Sequence, residues 1–247
     1  HTRLRGLLNK VFTPRMVANW RERVQEVVDE LVDQVEAQGH MDLISDFAYP
    51  LPATIIAEMI GAPQSDIGLF RDWAVAINRL FEKGGRIEEA AARAAQASLH
   101  EMRDYTVKLA ASKRVNPADD ILSRLVAADD DDKLTVDEMV STCVTLFVAG
   151  HETTTNLIGN GMLALLQHPD QMAVLRDNPA LIDNAVEEML RYDPSVPRGW
   201  RIARADVEIG GQTIGKGALV FPILAAANRD PAQFPDPDRF DVGREGT

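Results

Sequence analysis

The segment Ala149-Gly150-His151-Glu152-Thr153-Thr154 places a carboxylic acid directly before two hydroxyl side chains. The apolar residues around it recur at helical spacing, and residues three and four apart on a helix are neighbours. One face of this helix therefore carries Thr145, Ala149, Glu152, Thr153 and Asn156. Thr153 is expected to bond back to the carbonyl of Ala149 and bend the helix, which opens room for a water or a ligand. An acid beside a hydroxyl at such a bend is what a proton relay requires.

Ala149 and Gly150 are small, so a bulky group can approach the backbone of this helix closely. A glycine inside a helix costs about 1 kcal/mol relative to alanine, which suggests that Gly150 is there for a reason. One other interpretation stays open for the segment: it can be a glycine kink with a surface glutamate on a core helix. A His-Glu-x-x-His zinc site also begins with His151-Glu152, but Thr155 occupies the position of its second histidine, which excludes that interpretation.

Two further patterns are weak when each is taken alone. Glu188 and Arg191 lie three residues apart on a predicted helix, a spacing common on helix surfaces and worth about 0.2–0.5 kcal/mol there. The segment 234–240 is rich in proline and aspartate, contains Arg239, and is typical of an ordered surface loop.

The spacing of apolar residues is helical from residue 11 to about residue 194. Helices are predicted at 14–39 after the N-cap Thr13, at 42–60, 66–81, 86–112 and 118–128, at 135–166 and at 183–191. Thr135 and Glu138 form a capping box at the start of the long helix. Short strands are predicted at 207–209, 213–214 and 219–221, followed by ordered coil to residue 240.

Composition restricts the possible functions. The 247 residues are 45% hydrophobic and carry a formal net charge of -12, which argues against binding to nucleic acid or to an anionic membrane surface. No apolar run approaches the roughly 20 residues of a membrane-spanning helix. Cys143 is the only cysteine, so no disulfide forms within the chain and a cytoplasmic location is expected.

Taken together and in this order, these patterns resemble the bacterial cytochrome P-450 family. The family has an acid-alcohol pair on a long helix, then Glu-x-x-Arg, then a small sheet, then Pro-Asp-Arg-Phe. The resemblance also covers the start, where residues 1–5 and 12–15 resemble the helix called C in the family. The implied fold is mainly α, with a long central helix, a helical bundle and a small β-sheet, and is incomplete at both ends. Residues 1–247 would form a single partial domain, with 1–194 mainly helical and 195–247 sheet and meander.

The resemblance implies a haem b cofactor, iron protoporphyrin IX. The side chains implied to bind its propionates are those of His1, Arg5 and Arg201. Ala149 and Gly150 would form a groove over the haem face. Glu152 and Thr153 would deliver protons during the activation of dioxygen.

Further roles follow from the same resemblance. Glu188, Arg191 and Arg239 would form a buried structural ion network, which stabilises only while all its partners are present. A small organic substrate would lie against Thr145, Val148 and Val196, beneath the segment 73–80. Ferredoxin or flavodoxin with its reductase would supply electrons, since no flavin domain is fused within these 247 residues.

This sequence departs from the family pattern at the iron ligand. The loop with the ligating cysteine should follow residue 240, and the printed sequence stops first. Cys143 is expected to be a small core residue. The printed chain therefore supplies no metal ligand, and we expect it to be inactive as a monooxygenase in this form. Two alternatives are a peroxygenase, against which the Glu152-Thr153 pair argues, and a non-catalytic helical remnant or binding module of the same fold.

Overall fold

The computed structural model describes residues 5, 6, 8, 12–79, 88–127 and 134–246. The described residues divide into two compact units, one within His1–Thr155 and one within Asn156–Thr247. How the units join in one domain over 1–247 stays a prediction, and each unit is described by itself below.

The first unit is helical throughout. Its elements are α1 (Pro14–Glu36), a π-helical turn (Leu43–Ala48), α2 (Pro50–Ile60), a 3-10 turn (Gln64–Asp66), α3 (Ile67–Asn78), α4 (Glu89–Val115), α5 (Ile121–Val126) and the first part of α6 (Val136–Gln167).

Two helix starts follow the local signals in the sequence. The hydroxyl of Thr13 accepts a hydrogen bond from the Met16 amide at 3.2 Å, and Pro14 occupies the first helical position of α1. At the start of α6, the Glu138 amide donates to the Thr135 hydroxyl at 3.2 Å. The Thr135 amide donates in return to the Glu138 carboxylate at 2.9 Å. The predicted capping box is therefore confirmed.

The predicted helix at 42–60 is divided in the structure. Its first part is a π-helical turn, closed by a hydrogen bond of 2.9 Å from the Tyr49 amide to the Ile44 carbonyl, five residues earlier. Pro50 has no amide hydrogen and takes the first position of α2, where none is needed. The break therefore follows from the proline, and it turns the Tyr49 side chain towards α6.

An aromatic core supports α6 in the first unit. Phe147 of α6 is fully buried and packs 4.9 Å, centroid to centroid, from Phe70 of α3. Trp73 lies beside Phe70, and its indole N–H donates to Glu101 at 2.7 Å. The remaining buried members are Ala57, Ala62, Ala74, Ile77 and Met102. Because Phe147 is held on several sides, the segment of α6 that follows it is rigidly placed.

Gly61 ends α2 in the left-handed conformation, with φ of 86°. A Cβ atom at this position would overlap the carboxylate of buried Asp120. That carboxylate forms an ion pair with Lys113, in which Oδ2 and Nζ are 2.6 Å apart but do not have hydrogen-bond geometry. Gly39 is also left-handed, with φ of 68°, but has no atom within 4 Å of such a Cβ.

Replacing Gly61 with alanine should therefore lower the free energy of unfolding by about 3 kcal/mol, from backbone strain and overlap together. The matched variant Gly39→Ala should lower the free energy of unfolding by only about 1 kcal/mol, because it adds backbone strain without overlap. Urea unfolding of both variants measures the difference. Equal losses would show that the contact with Asp120 relaxes without cost.

The second unit contains the end of α6 and shorter elements. These are α7 (Pro169–Asp177), a 3-10 turn (Pro179–Leu181), α8 (Ile182–Tyr192), β1 (Arg201–Ile202), β2 (Val207–Ile209), β3 (Gln212–Ile214), β4 (Leu219–Val220) and α9 (Leu224–Ala227). The strands pair antiparallel as β1 with β4 and β2 with β3. A core of Ala164, Leu165, Ala185, Phe240 and Val242 joins α6 and α8 to the chain after residue 239.

One helical stretch among the described residues, Leu43–Ile60, is long and apolar enough to cross a membrane by length and composition alone. Its mean hydropathy is 1.3, and 33% of it is buried inside the protein. A single stretch of this kind is weak evidence, because the core helix of a water-soluble protein meets the same criterion.

Candidate active site

The acid and hydroxyl residues lie in the middle of α6, where side chains point in three directions. On the first side, Thr145 and Ala149 are exposed and Thr153 is half-buried. Since Ala149 carries only a methyl group, a bulky group can approach the helix backbone along this side. We call Thr145, Ala149, Glu152 and Thr153, all within the first unit, the open face of α6.

The Thr153 hydroxyl bonds back to the helix as predicted, and the Thr154 hydroxyl does the same. Thr153 Oγ1 donates to the Ala149 carbonyl at 2.7 Å, and Thr154 Oγ1 donates to the Gly150 carbonyl at 2.9 Å. Such bonds use the hydroxyl hydrogen and leave the oxygen lone pairs free to accept from a ligand. Glu152, directly before Thr153, is half-buried. The open face therefore combines a hydroxyl oxygen, a carboxyl group and a small side chain.

Gly150 points away from the open face. A Cβ atom at this position would lie 2.8 Å from Cδ1 of Ile56 on α2, so the glycine allows α2 and α6 to approach closely. Gly150 and Thr154 also line an apolar cavity of about 330 Å3, together with residues of α1 and α2. Gly150 therefore has a packing role on a side other than that of Ala149, because consecutive helical residues point about 100° apart. A groove over the haem face stays a prediction.

The third side of this segment is buried. His151 is 4% exposed, and its ring stacks on that of Phe147 at 5.5 Å. Among the described residues, no group of three or more His, Cys, Asp or Glu side chains is arranged to hold a metal ion. The structure thus places His151 in an aromatic environment.

Cys143 is a core residue, as its position in the sequence predicts. It is 3% exposed and packs with Ile60, Ala110, Leu122 and Met139. Burial raises the pKa of its thiol to about 12. At neutral pH the side chain is therefore a protonated thiol, whereas a thiolate is the form that ligates iron.

Of the three side chains predicted to bind haem, the structure describes those of Arg5 and Arg201. His1 lies outside the described residues, and Arg5 is exposed. Arg201, in β1, is also exposed and donates to the Trp200 carbonyl at 2.8 Å. It forms no ion pair with any residue of the described ranges. A guanidinium without a carboxylate partner suits an anionic ligand, so the residues present fit the propionates of a haem.

The predicted substrate contacts are partly available. Thr145 is exposed, Val148 is half-buried against the aromatic core, and Val196 is 45% exposed in the second unit. The segment 73–80 was predicted to cover the substrate, but Trp73 is 5% exposed and its N–H is bonded to Glu101. Trp73 is thus a core residue, and Leu80 lies outside the described residues.

A buried ion network centres on Glu188 of α8, which is fully buried. Arg191 donates to both carboxylate oxygens of Glu188, at 2.6 and 2.9 Å. Arg244 Nε lies 3.2 and 3.3 Å from the same two oxygens, and the Asp241 amide donates to Oε1 at 2.8 Å. One carboxylate thus binds two guanidinium groups. Other N–H groups of the same two arginines donate to backbone carbonyls of residues 228–246, which we call the tail.

Arg244, and not the predicted Arg239, supplies the second guanidinium. The Arg239 side chain is 62% exposed and lies 3.5 Å from Asp241, while only its carbonyl accepts from Arg191 and Arg244. The prediction of Arg239 in the network is therefore wrong. The sequence held no spacing signal for Arg244, since the return of the tail to α8 decides which arginine points inward.

Comparison with known proteins identifies the class. The sequence model described as Cytochrome P-450 matches residues 54–244. Cytochrome P-450 CYP107DY1 of Priestia megaterium is 45% identical over 246 residues, covering 99% of this chain and 59% of the relative. The 6-deoxyerythronolide B hydroxylase of Saccharopolyspora erythraea is 40% identical over 247 residues, with coverage of 99% and 59%. This chain therefore belongs to the cytochrome P-450 family.

Solved structures agree with that assignment. The crystal structure of P450BioI in complex with hexadec-9Z-enoic acid ligated acyl carrier protein superposes with a TM-score of 0.94 at 40% sequence identity. The superposition covers 100% of this chain and 63% of that chain. The predicted fold, mainly α with a small sheet, is confirmed. The chain spans about three-fifths of the length of its relatives.

Proposed function

We propose that this chain is part of a bacterial monooxygenase that inserts one oxygen atom of dioxygen into a small organic substrate, by hydroxylation or epoxidation. The open face of α6 carries this proposal, because it combines Ala149, Glu152 and Thr153 on the central helix of a cytochrome P-450 chain. A relative named as a hydroxylase supports hydroxylation as the reaction type.

Haem b, when bound, supplies the redox chemistry that activates dioxygen. Ala149 leaves room for the flat macrocycle beside α6. Arg5 and Arg201, with His1, bind the propionates through charge-assisted hydrogen bonds. Arg201 is suited to this role because its guanidinium has no acidic partner among the described residues.

The residues of the open face handle protons. Thr153 Oγ1 donates its own hydrogen to the Ala149 carbonyl, so its lone pairs accept a hydrogen bond from a water or a ligand on the open side. The carboxyl group of Glu152, half-buried beside it, exchanges protons with solvent and passes them towards that oxygen. Positioned groups of this kind contribute about 10²–10⁴-fold to a rate.

The substrate lies against Thr145, Val148 and Val196 in this proposal. Electrons come from a ferredoxin or flavodoxin with its reductase, and the protein works in the cytoplasm. The excess of acidic residues, with a net charge of -12, favours a setting without nucleic acid or an anionic membrane surface.

The absorption spectrum of the full-length protein, reduced with dithionite under carbon monoxide, tests the proposal. We expect the red-shifted Soret band of thiolate-ligated haem. A parallel pigment assay measures how much haem the same sample holds. Bound haem without the shifted band would contradict the monooxygenase, and failure to take up haem at all would favour the non-catalytic remnant of the fold.

A further inference from the structure

His151 and Tyr49 form a buried polar pair within the first unit. The Tyr49 ring meets the His151 ring edge-on, with centroids 4.3 Å apart and an interplanar angle of 74°. On its other side the His151 ring stacks on Phe147 at 7°. His151 is 4% exposed, and the hydroxyl oxygen of Tyr49 is buried as well. Solvent therefore does not reach the polar atoms of either ring from the surface.

Three polar atoms of this pair have no hydrogen-bond partner in the described protein. They are Nδ1 and Nε2 of His151 and Oη of Tyr49. Buried polar atoms are nearly always hydrogen-bonded in native proteins, because leaving them unpaired forfeits their interaction with water. Three such atoms on two touching rings indicate that a polar molecule binds at the polar edges of the rings.

The chemistry of the two groups selects a neutral partner. Burial lowers the pKa of His151 to about 4 and raises the pKa of Tyr49 to about 12, so both are uncharged at neutral pH. A neutral imidazole offers one donor and one acceptor, and a phenol offers both from one oxygen. The charged groups nearby have opposite signs: Arg71 lies 5.0 Å from the Tyr49 ring, and Asp72 also acts on Tyr49. Because these two charges are opposite, the surroundings of the pair do not favour binding of an ion.

The local backbone is built to hold the two rings together. The π-helical turn ends at Ala48, and Thr155 Oγ1 of α6 lies 3.0 Å from both the Ala48 and the His151 carbonyls, between which it shares its one hydrogen. This buried hydrogen bond fixes the start of Tyr49 against α6, one helical turn beyond His151. A molecule bound at the polar edges of both rings would add a second polar link between this part of the chain and α6.

We propose that one buried water molecule bridges His151 and Tyr49, hydrogen-bonded to one imidazole nitrogen and to Tyr49 Oη. Water matches the site because it donates twice and accepts twice, and buried waters typically satisfy otherwise unpaired polar groups. This water ties the π-helical turn to α6 directly beside Glu152. The inference does not depend on the proposed oxygenation, since it concerns the packing of the first unit.

Unfolding of the full-length protein tests the bridge through the Tyr49→Phe variant. If water bridges the pair, losing the hydroxyl should raise the unfolding equilibrium constant roughly two- to tenfold. Tyr105→Phe is the matched control, because its hydroxyl has a visible partner, donating to Asp66 at 2.8 Å. An unchanged or lower constant for Tyr49→Phe, with a raised one for Tyr105→Phe, would overturn the proposal.

Coupling between the two groups separates a bridge from two independent effects. In a His151→Leu background, Tyr49→Phe should have a smaller effect than in the wild-type protein, since the bridge is already lost. Equal effects in both backgrounds would contradict a shared water. A high-resolution crystal structure provides the direct check: a water within hydrogen-bonding distance of both groups is expected, and continuous apolar contact without one would refute it.

Discussion

Glu188→Gln should lower the free energy of unfolding by about 3–5 kcal/mol, because it removes the only carboxylate that faces Arg191 and Arg244 in the described network. The amide keeps the size of the side chain but leaves two buried guanidinium groups without a counter-charge. Urea unfolding of the full-length protein measures the loss. Glu187→Gln, the same change at the exposed neighbouring residue, should stay within about 0.5 kcal/mol of the wild type.

The same experiment separates the two candidate arginines. Arg244→Ala should cost at least about 2 kcal/mol, since hydrogen bonds of a charged group to Glu188 and to tail carbonyls are lost. Arg239→Ala should change stability by less than about 1 kcal/mol, because only an exposed pair with Asp241 is removed. The opposite order would show that Arg239 is the buried partner, as the sequence alone predicted.

Thr153→Val should slow turnover by about 100-fold, because the oxygen proposed to accept the hydrogen bond of a proton-carrying water or ligand is lost. Valine keeps the branched shape of threonine and has a methyl group in place of the hydroxyl, so folding and haem content should be retained. The measurement compares turnover numbers of the haem-loaded full-length protein and its variant on a substrate that the wild-type protein oxidises.

Thr154→Val provides the control for that result. Thr154 makes the same kind of back-bond, to the Gly150 carbonyl at 2.9 Å, but faces the apolar cavity instead of the open face. Loss of the Thr154 hydroxyl should leave turnover within about twofold of the wild type if the relay interpretation is right. Equal slowing by both variants would attribute the effect to the shape of α6 and not to proton transfer.

Features set by neighbours along the chain were predictable from the sequence. The Thr135–Glu138 capping box and the bond from Thr153 to Ala149 each join residues three or four apart, so their geometry follows from the helix itself. The order of the three motifs along the chain was also sufficient to indicate the family. Two proline signals in the sequence were missed. Pro169, which follows His168, begins α7, and Pro50 divides the predicted helix at 42–60.

Only the tertiary structure decided which side chains meet across the chain. Arg239 and Arg244 lie five residues apart in the same tail, and its path back to α8 turns the second inward. The contact of Gly150 with Ile56 and the pairing of His151 with Tyr49 join residues about a hundred apart. Helical spacing tells which residues share a face, because it is a property of the backbone. What covers each face depends on how distant segments pack, and no local pattern in this sequence encodes that.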